Sequence, residues 1–136
     1  MSDVTLRNVS DAIQAILEDK VKDIEWKQAV MGPIFPKTLT GFICCDEVTF
    51  DPATKIEPLA KAVYGVQIIC PNPSKDTSTT LVEDYAMATM AALRGEPKLD
   101  GWAVDSNVES ITFGTPAGNA TIGIAIIKLS VMYELE

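Results

Sequence analysis

Leu6, Val9, Ile13, Ile16, Leu17, Val21 and Ile24 recur at steps of three and four residues. That is the period of one helical face, and it predicts an opening helix of about five turns. Asp11, Glu18, Asp19 and Lys22 fall mostly off the stripe, and Ser2 or Asp3 can cap its start. A short strand fits Trp26–Val30, after which Gly32, Pro33 and Pro36 interrupt regular structure. Thr38–Phe50 then reads as a strand. The segment "DPATKIEP" is a loop marked by Asp51-Pro52 and Glu57-Pro58. In "LAKAVYGVQIIC" the residues Ala62, Tyr64, Val66, Ile68 and Cys70 alternate with Lys61, Gly65 and Gln67, the period of a strand.

The second half has the same vocabulary. "PNPSKDTSTT" is polar and leads into "LVEDYAMATMAALRG", where Leu81, Val82, Tyr85, Ala86, Met90 and Leu93 trace a helical face. Thr80 and Glu83 have capping-box spacing, and Gly95 suits the residue just past the helix end. Its alanines, Ala86, Ala88, Ala91 and Ala92, let such a helix lie close on a sheet. Met87 and Met90 fit a core face better than a partner groove. "WAVDSNVESITF" predicts a strand with a break near Ser106-Asn107, "GTPAGN" a turn, and "ATIGIAIIKLSVMYELE" a last strand. From Ala120 to Tyr133 only Lys128 is charged, and apolar residues fall on both parities. That strand is expected at the sheet centre, covered over much of both faces. The order helix, short strand, two strands, helix, two strands implies an α+β (α/β) fold. A single mixed, mainly antiparallel sheet of four or five strands is expected, with two helices packed on it. Residues 1–136 are expected to form one domain.

Composition narrows the function. The chain has 136 residues, 47% hydrophobic and 22% charged, as a globular core requires. A net charge of −8 argues against sequence-specific nucleic-acid binding and against docking on anionic lipid. The first twenty residues lack the apolar run of a signal peptide, and the longest apolar run, Ala120 to Ile127, is too short to span a membrane. A soluble cytoplasmic protein is the expectation.

Cys44 and Cys45 stand side by side before Asp46 and Glu47. With one further cysteine, Cys70, and no histidine, neither a Cys₄ nor a Cys₂His₂ zinc site nor a Cys–His nucleophile can be assembled. Neighbouring strand residues point to opposite faces, so the pair is expected to point apart and serve as small apolar residues. Strict alternation places Phe42, Cys44, Val48 and Phe50 on one face and Ile43, Cys45, Glu47 and Thr49 on the other.

No phosphate-binding glycine motif, nucleophile elbow or zinc-protease motif is present. Without histidine the commonest neutral general base is missing. Asp46, Glu47, Asp51 and Glu57 could in principle run hydrolysis or hold Mg²⁺ or Ca²⁺, but their spacing matches no known loop. A solvated acidic edge is the simpler reading. No catalytic, cofactor or metal residue is assigned, and the chain is read as a non-enzyme.

The stretches "DAIQAILEDKVKDIEW", "KAVYGVQIICPNPSKDTSTTLVEDYAMATMAALRG" and "VESITFGTP…TIGIAIIKLSVMY" together cover most of the chain. In length, element order and strand–polar loop–helix–hairpin layout it resembles the tail terminator and tail-completion proteins of long-tailed bacteriophages and prophages. The resemblance implies a homo-oligomeric ring, usually a hexamer, that caps the tail tube and joins tail to head. The implied partners are the tail tube protein and the head–tail connector or stopper. The implied location is the virion tail or neck, after assembly in the host cytoplasm. An acidic channel wall would repel passing DNA. Asp46, Glu47, Phe50, Asp51, Ile56 and Glu57 are the candidate assembly or channel surface, an apolar patch with a charged rim. Two other classes stand beside this one: a small-molecule-binding or enzymatic α/β domain that uses the acidic loop, and a monomeric adaptor.

Overall fold

The computed structural model describes residues 5–30, 32, 36–50, 59–71, 75–115 and 122–134. Two helices and five strands follow in the order α1 (Thr5–Lys20), β1 (Glu25–Lys27), β2 (Thr40–Phe50), β3 (Leu59–Pro71), α2 (Lys75–Arg94), β4 (Asp105–Gly114) and β5 (Ile122–Glu134). The strands form one sheet in the order β1-β2-β3-β5-β4. β1 pairs with β2 in parallel and every other pairing is antiparallel, the mixed α+β arrangement expected from the pattern.

The alternation along β3 decides where the core sits. Ala60, Ala62, Tyr64, Val66, Ile68 and Cys70 are buried and pack with Val9, Ile13 and Leu17 of α1 and Val82, Ala86 and Leu93 of α2 in one cluster. Both helices therefore cover the same face of the sheet. Fully burying each of these Val, Leu and Ile side chains contributes about 1.5–3 kcal/mol. Tyr64 brings its hydroxyl with it, 2.6 Å from Ser10 Oγ, and Ser10 Oγ in turn donates to Leu6 O at 3.0 Å.

The opening helix is shorter than its apolar stripe. Its last backbone bond runs from Val21 N–H to Leu17 O, and Asp23 adopts φ 67°. A left-handed residue cannot continue a right-handed helix. Val21 stays buried and Ile24 packs against the core from outside the helix, so the stripe was a true core signal with a chain reversal in its last turn. The candidate caps Ser2 and Asp3 lie outside the described residues. β1 is also shorter than Trp26–Val30. It is pinned by Trp26, whose indole N–H donates to Val21 O at 3.2 Å and whose ring lies on Gly41.

α2 starts at Lys75 rather than Leu81, so Thr80 and Glu83 are inside the helix and do not form a cap. "KDTSTT" has no apolar residue from which a helical period could be read. Gly95 does follow the last helical residue, its N–H on Ala91 O at 3.0 Å. β4 starts at Asp105, not Trp102, because Leu99, Asp100 and Gly101 take φ of 49°, 58° and 86° in one left-handed turn. Leu99 is fully buried and anchors that turn to the core.

β5 is central, between β3 and β4. Only one of its faces is fully covered. Ala125, Ile127, Leu129, Val131 and Tyr133 are buried under the helices, whereas Ile126 and Met132 on the other face are exposed. That second face is closed at one end alone, where Phe42, Ile69 and Ile122 are buried together with half-buried Ile124 against them.

Candidate assembly surface

Two residues face one at Asp46. Cys45 pairs with Tyr64 and Glu47 with Val63, and the register shifts between them, which is a β-bulge. The extra residue reverses the parity of everything after it. Cys44 lies opposite Gly65, on the face away from the helices, and Cys45 lies opposite buried Tyr64, on the helix face. The two cysteines thus point apart as expected. Beyond the bulge Val48 and Phe50 lie opposite Ala62 and Ala60, on the helix face, while Glu47 and Thr49 lie on the outer face. The strict alternation that grouped Val48 and Phe50 with Phe42 and Cys44 is corrected by the inserted residue.

Asp46 and Glu47 are exposed. Asp46 turns toward Gly65: a Cβ on that glycine would come 2.9 Å from Asp46 Oδ2. Val48 packs against the core. Phe50, opposite Ala60, is 62% exposed. Asp51, Ile56 and Glu57 lie outside the described residues. The structure therefore brings Asp46, Glu47 and Phe50 onto one strand, with the two acids on one face and the aromatic ring on the other.

The thiols sit in unreactive surroundings. Burial, then the Asp46 carboxylate beside it, pushes the Cys44 thiol above its ordinary range. Burial also raises Cys45 and Cys70, and for Cys45 it outweighs the hydrogen bond to Glu47 O, which acts the other way. A thiol raised this way is mostly protonated at neutral pH and a poor nucleophile. Among the described residues no group of three or more cysteines and carboxylates is placed to hold a metal ion.

The outer face also holds features that periodicity could not reveal. A shallow groove of about 210 Å³ is lined by Ala29, Val30, Phe42, Cys44, Asp46, Gly65, Gln67 and Ile126. Next to it, a second bulge between Val108 and Ser110 sets Glu109 between two lysines. Glu109 Oε2 lies 3.3 Å from Lys128 Nζ and Oε1 lies 3.7 Å from Lys61 Nζ. The Lys128 hydrogen bond, followed by the charges of both lysines, holds the Glu109 carboxyl below its usual range. These three residues come from three strands, and no spacing in the sequence joins them.

β1 pairs only with Thr40–Phe42, so from Cys44 to Phe50 the edge of β2 has no neighbouring strand among the described residues. β4 is the other edge. Each open edge carries a bulge with a carboxylate, Asp46 on one and Glu109 on the other. No helix among the described residues is long and apolar enough to cross a membrane.

No protein-family model matches the chain, and no curated protein matches it. Among solved structures, the backbone is similar to a chain from the virion of a native gene transfer agent particle. That match has a TM-score of 0.38 and 10% identity, over 96% of this chain and 91% of the other. A second solved chain matches with a TM-score of 0.39 and 17% identity over 93% of this chain and 94% of its own length.

Proposed function

We propose that this protein is a structural component of a tailed phage or phage-like particle. In this reading it is a ring-forming tail terminator or neck protein that caps the tail tube, joins tail to head and catalyses no reaction. The observation that carries the reading is the layout itself. An opening helix, a strand pair, a second helix over the same sheet face and a closing hairpin follow in the order that the sequence resemblance implies. The open stretch of β2 supports it further, since that unpaired edge offers exposed Phe50 on the helix face and the acids Asp46 and Glu47 on the outer face. Cyclic symmetry would repeat these acids around an axis. At low ionic strength their mutual repulsion opposes closure, and at ~0.1 M salt, where the screening length is about 10 Å, it weakens.

Native mass spectrometry and light scattering across a salt series test this. The parent is expected to be dissociated in dilute, low-salt solution and to form rings as salt rises or when tail tube protein is added. Asp46→Asn/Glu47→Gln, which removes the repulsion without adding a new charge, is expected to form rings at lower salt. If the parent never exceeds two copies at any salt concentration and does not bind tube protein, the ring reading falls and the small-molecule reading takes its place.

A further inference from the structure

α2 lies on the sheet through Val82, Ala86, Thr89 and Leu93, all buried. Its opposite side carries Asp84, Met87, Ala88, Ala91 and Arg94, all exposed. Their spacing puts them on one helical face. Met87, in the middle, is 51% exposed, which corrects its expected place on a core face, whereas Met90 is half-buried. Asp84 and Arg94 stand at its two ends, and among the described residues neither side chain makes an ion pair or a hydrogen bond. The face is thus apolar and small at its centre, with unpaired opposite charges at its ends.

We infer that this face docks a second copy of the same chain, with the two α2 helices antiparallel about a two-fold axis. Asp84 and Arg94 are symmetric about position 89, and so are Met87 and Ala91. An antiparallel copy centred there sets Asp84 against Arg94 of the second copy and Met87 against Ala91 of the second copy, each contact occurring twice. A parallel copy would set Asp84 on Asp84 and Arg94 on Arg94, which like-charge repulsion disfavours. The paired charges are about 15 Å apart along each helix, a span of roughly three turns. Ala88 and Ala91 allow the helix axes to approach to about 8 Å, so Met87 can bury on the partner. The contact is small, so a dissociation constant of ~10 µM or weaker is expected. It does not depend on the ring reading, since it uses the helix layer and not the β2 edge. A ring and this contact together would give two rings related by two-fold axes, and this contact alone gives a dimer.

Sedimentation equilibrium on the parent, Asp84→Arg, Arg94→Asp and the double swap Asp84→Arg/Arg94→Asp tests the inference, with melting curves to verify folding. Each single reversal places like charges together and is expected to weaken dimerisation at least ~10-fold, and the double swap to restore it to within ~3-fold of the parent. A parent that stays monomeric up to ~1 mM, single variants that associate like the parent, or a folded double swap that does not recover would each overturn it. The ring, read separately in the salt series, is expected to survive the loss of this contact.

Discussion

Gly41 and Gly65 lie in neighbouring strands, yet a methyl group has different consequences at each. At Gly41 the new Cβ would enter the Trp26 ring at Cε3 and Cζ3. That ring is buried and tied to Val21 O, so it cannot step aside cheaply. Gly41→Ala is expected to cost about 1–3 kcal/mol. At Gly65 the Cβ meets only the far end of Asp46, an exposed side chain that can rotate away. Gly65→Ala is expected to be neutral or to gain up to about 1 kcal/mol by restricting the unfolded chain. Urea denaturation of both variants checks the contrast, and equal losses would show that the Trp26 contact is not what fixes Gly41. Tyr64 gives a pH-dependent counterpart. Burial pushes its phenol far above the usual range, against a smaller opposing effect from the Ser10 hydrogen bond. Below about pH 10 the phenol is neutral in both folded and unfolded chains and its contribution is complete. Above that, the unfolded chain loses its proton first, so stability falls as pH rises. Tyr64→Phe is expected to cost about 1 kcal/mol at neutral pH and to make the decline above about pH 10 shallower than in the parent. Identical alkaline slopes in urea midpoints would remove Tyr64 as the cause.

At the scale of elements, β5 joins β3 and β4 and presents two unequal faces. Ile127 is fully buried under the helices, while Ile124, on the other face, is half-buried beside Phe42, Ile69 and Ile122. Ile127→Asp puts a carboxylate where no partner is available, a cost of more than about 4 kcal/mol, and is expected to abolish folding. Ile124→Asp is expected to fold with a loss of about 1–3 kcal/mol, because its carboxylate can reach water. Circular dichroism and melting separate the two, and equal behaviour would mean that both faces of β5 are closed. The apolar run of this strand predicted its central place correctly but not this inequality. Strand centrality depends on the residues of one chain segment, whereas cover depends on what other segments reach. Helix ends show the same division. The apolar stripe located α1, but Asp23, with its left-handed backbone, ended it before Ile24. The start of α2 was invisible in six polar residues.

For the whole molecule, the two sheet edges and the distribution of charge set how it can associate. Acid-bearing bulges at Asp46 and Glu109 interrupt the ladder at both open edges. Such bulges and charges oppose uncontrolled edge-to-edge pairing and favour contacts made by side chains. The strands, the two helices, the α+β class and the divergence of Cys44 from Cys45 were all legible in the sequence, because each follows from a period of two or about 3.6 that short stretches carry by themselves. The candidate surface was legible only as a list of residues. That Phe50 lies on the helix face while Asp46 and Glu47 lie on the other was decided by one inserted residue in β2, which costs the sequence pattern nothing and reverses every side chain after it. The Lys61–Glu109–Lys128 group and the groove beside Gly65 were decided by strand pairing between segments far apart in the chain. Local periodicity fixes which face of an element is apolar; only the tertiary structure fixes what that face meets, because the meeting depends on register, bulges and the reach of the covering helices.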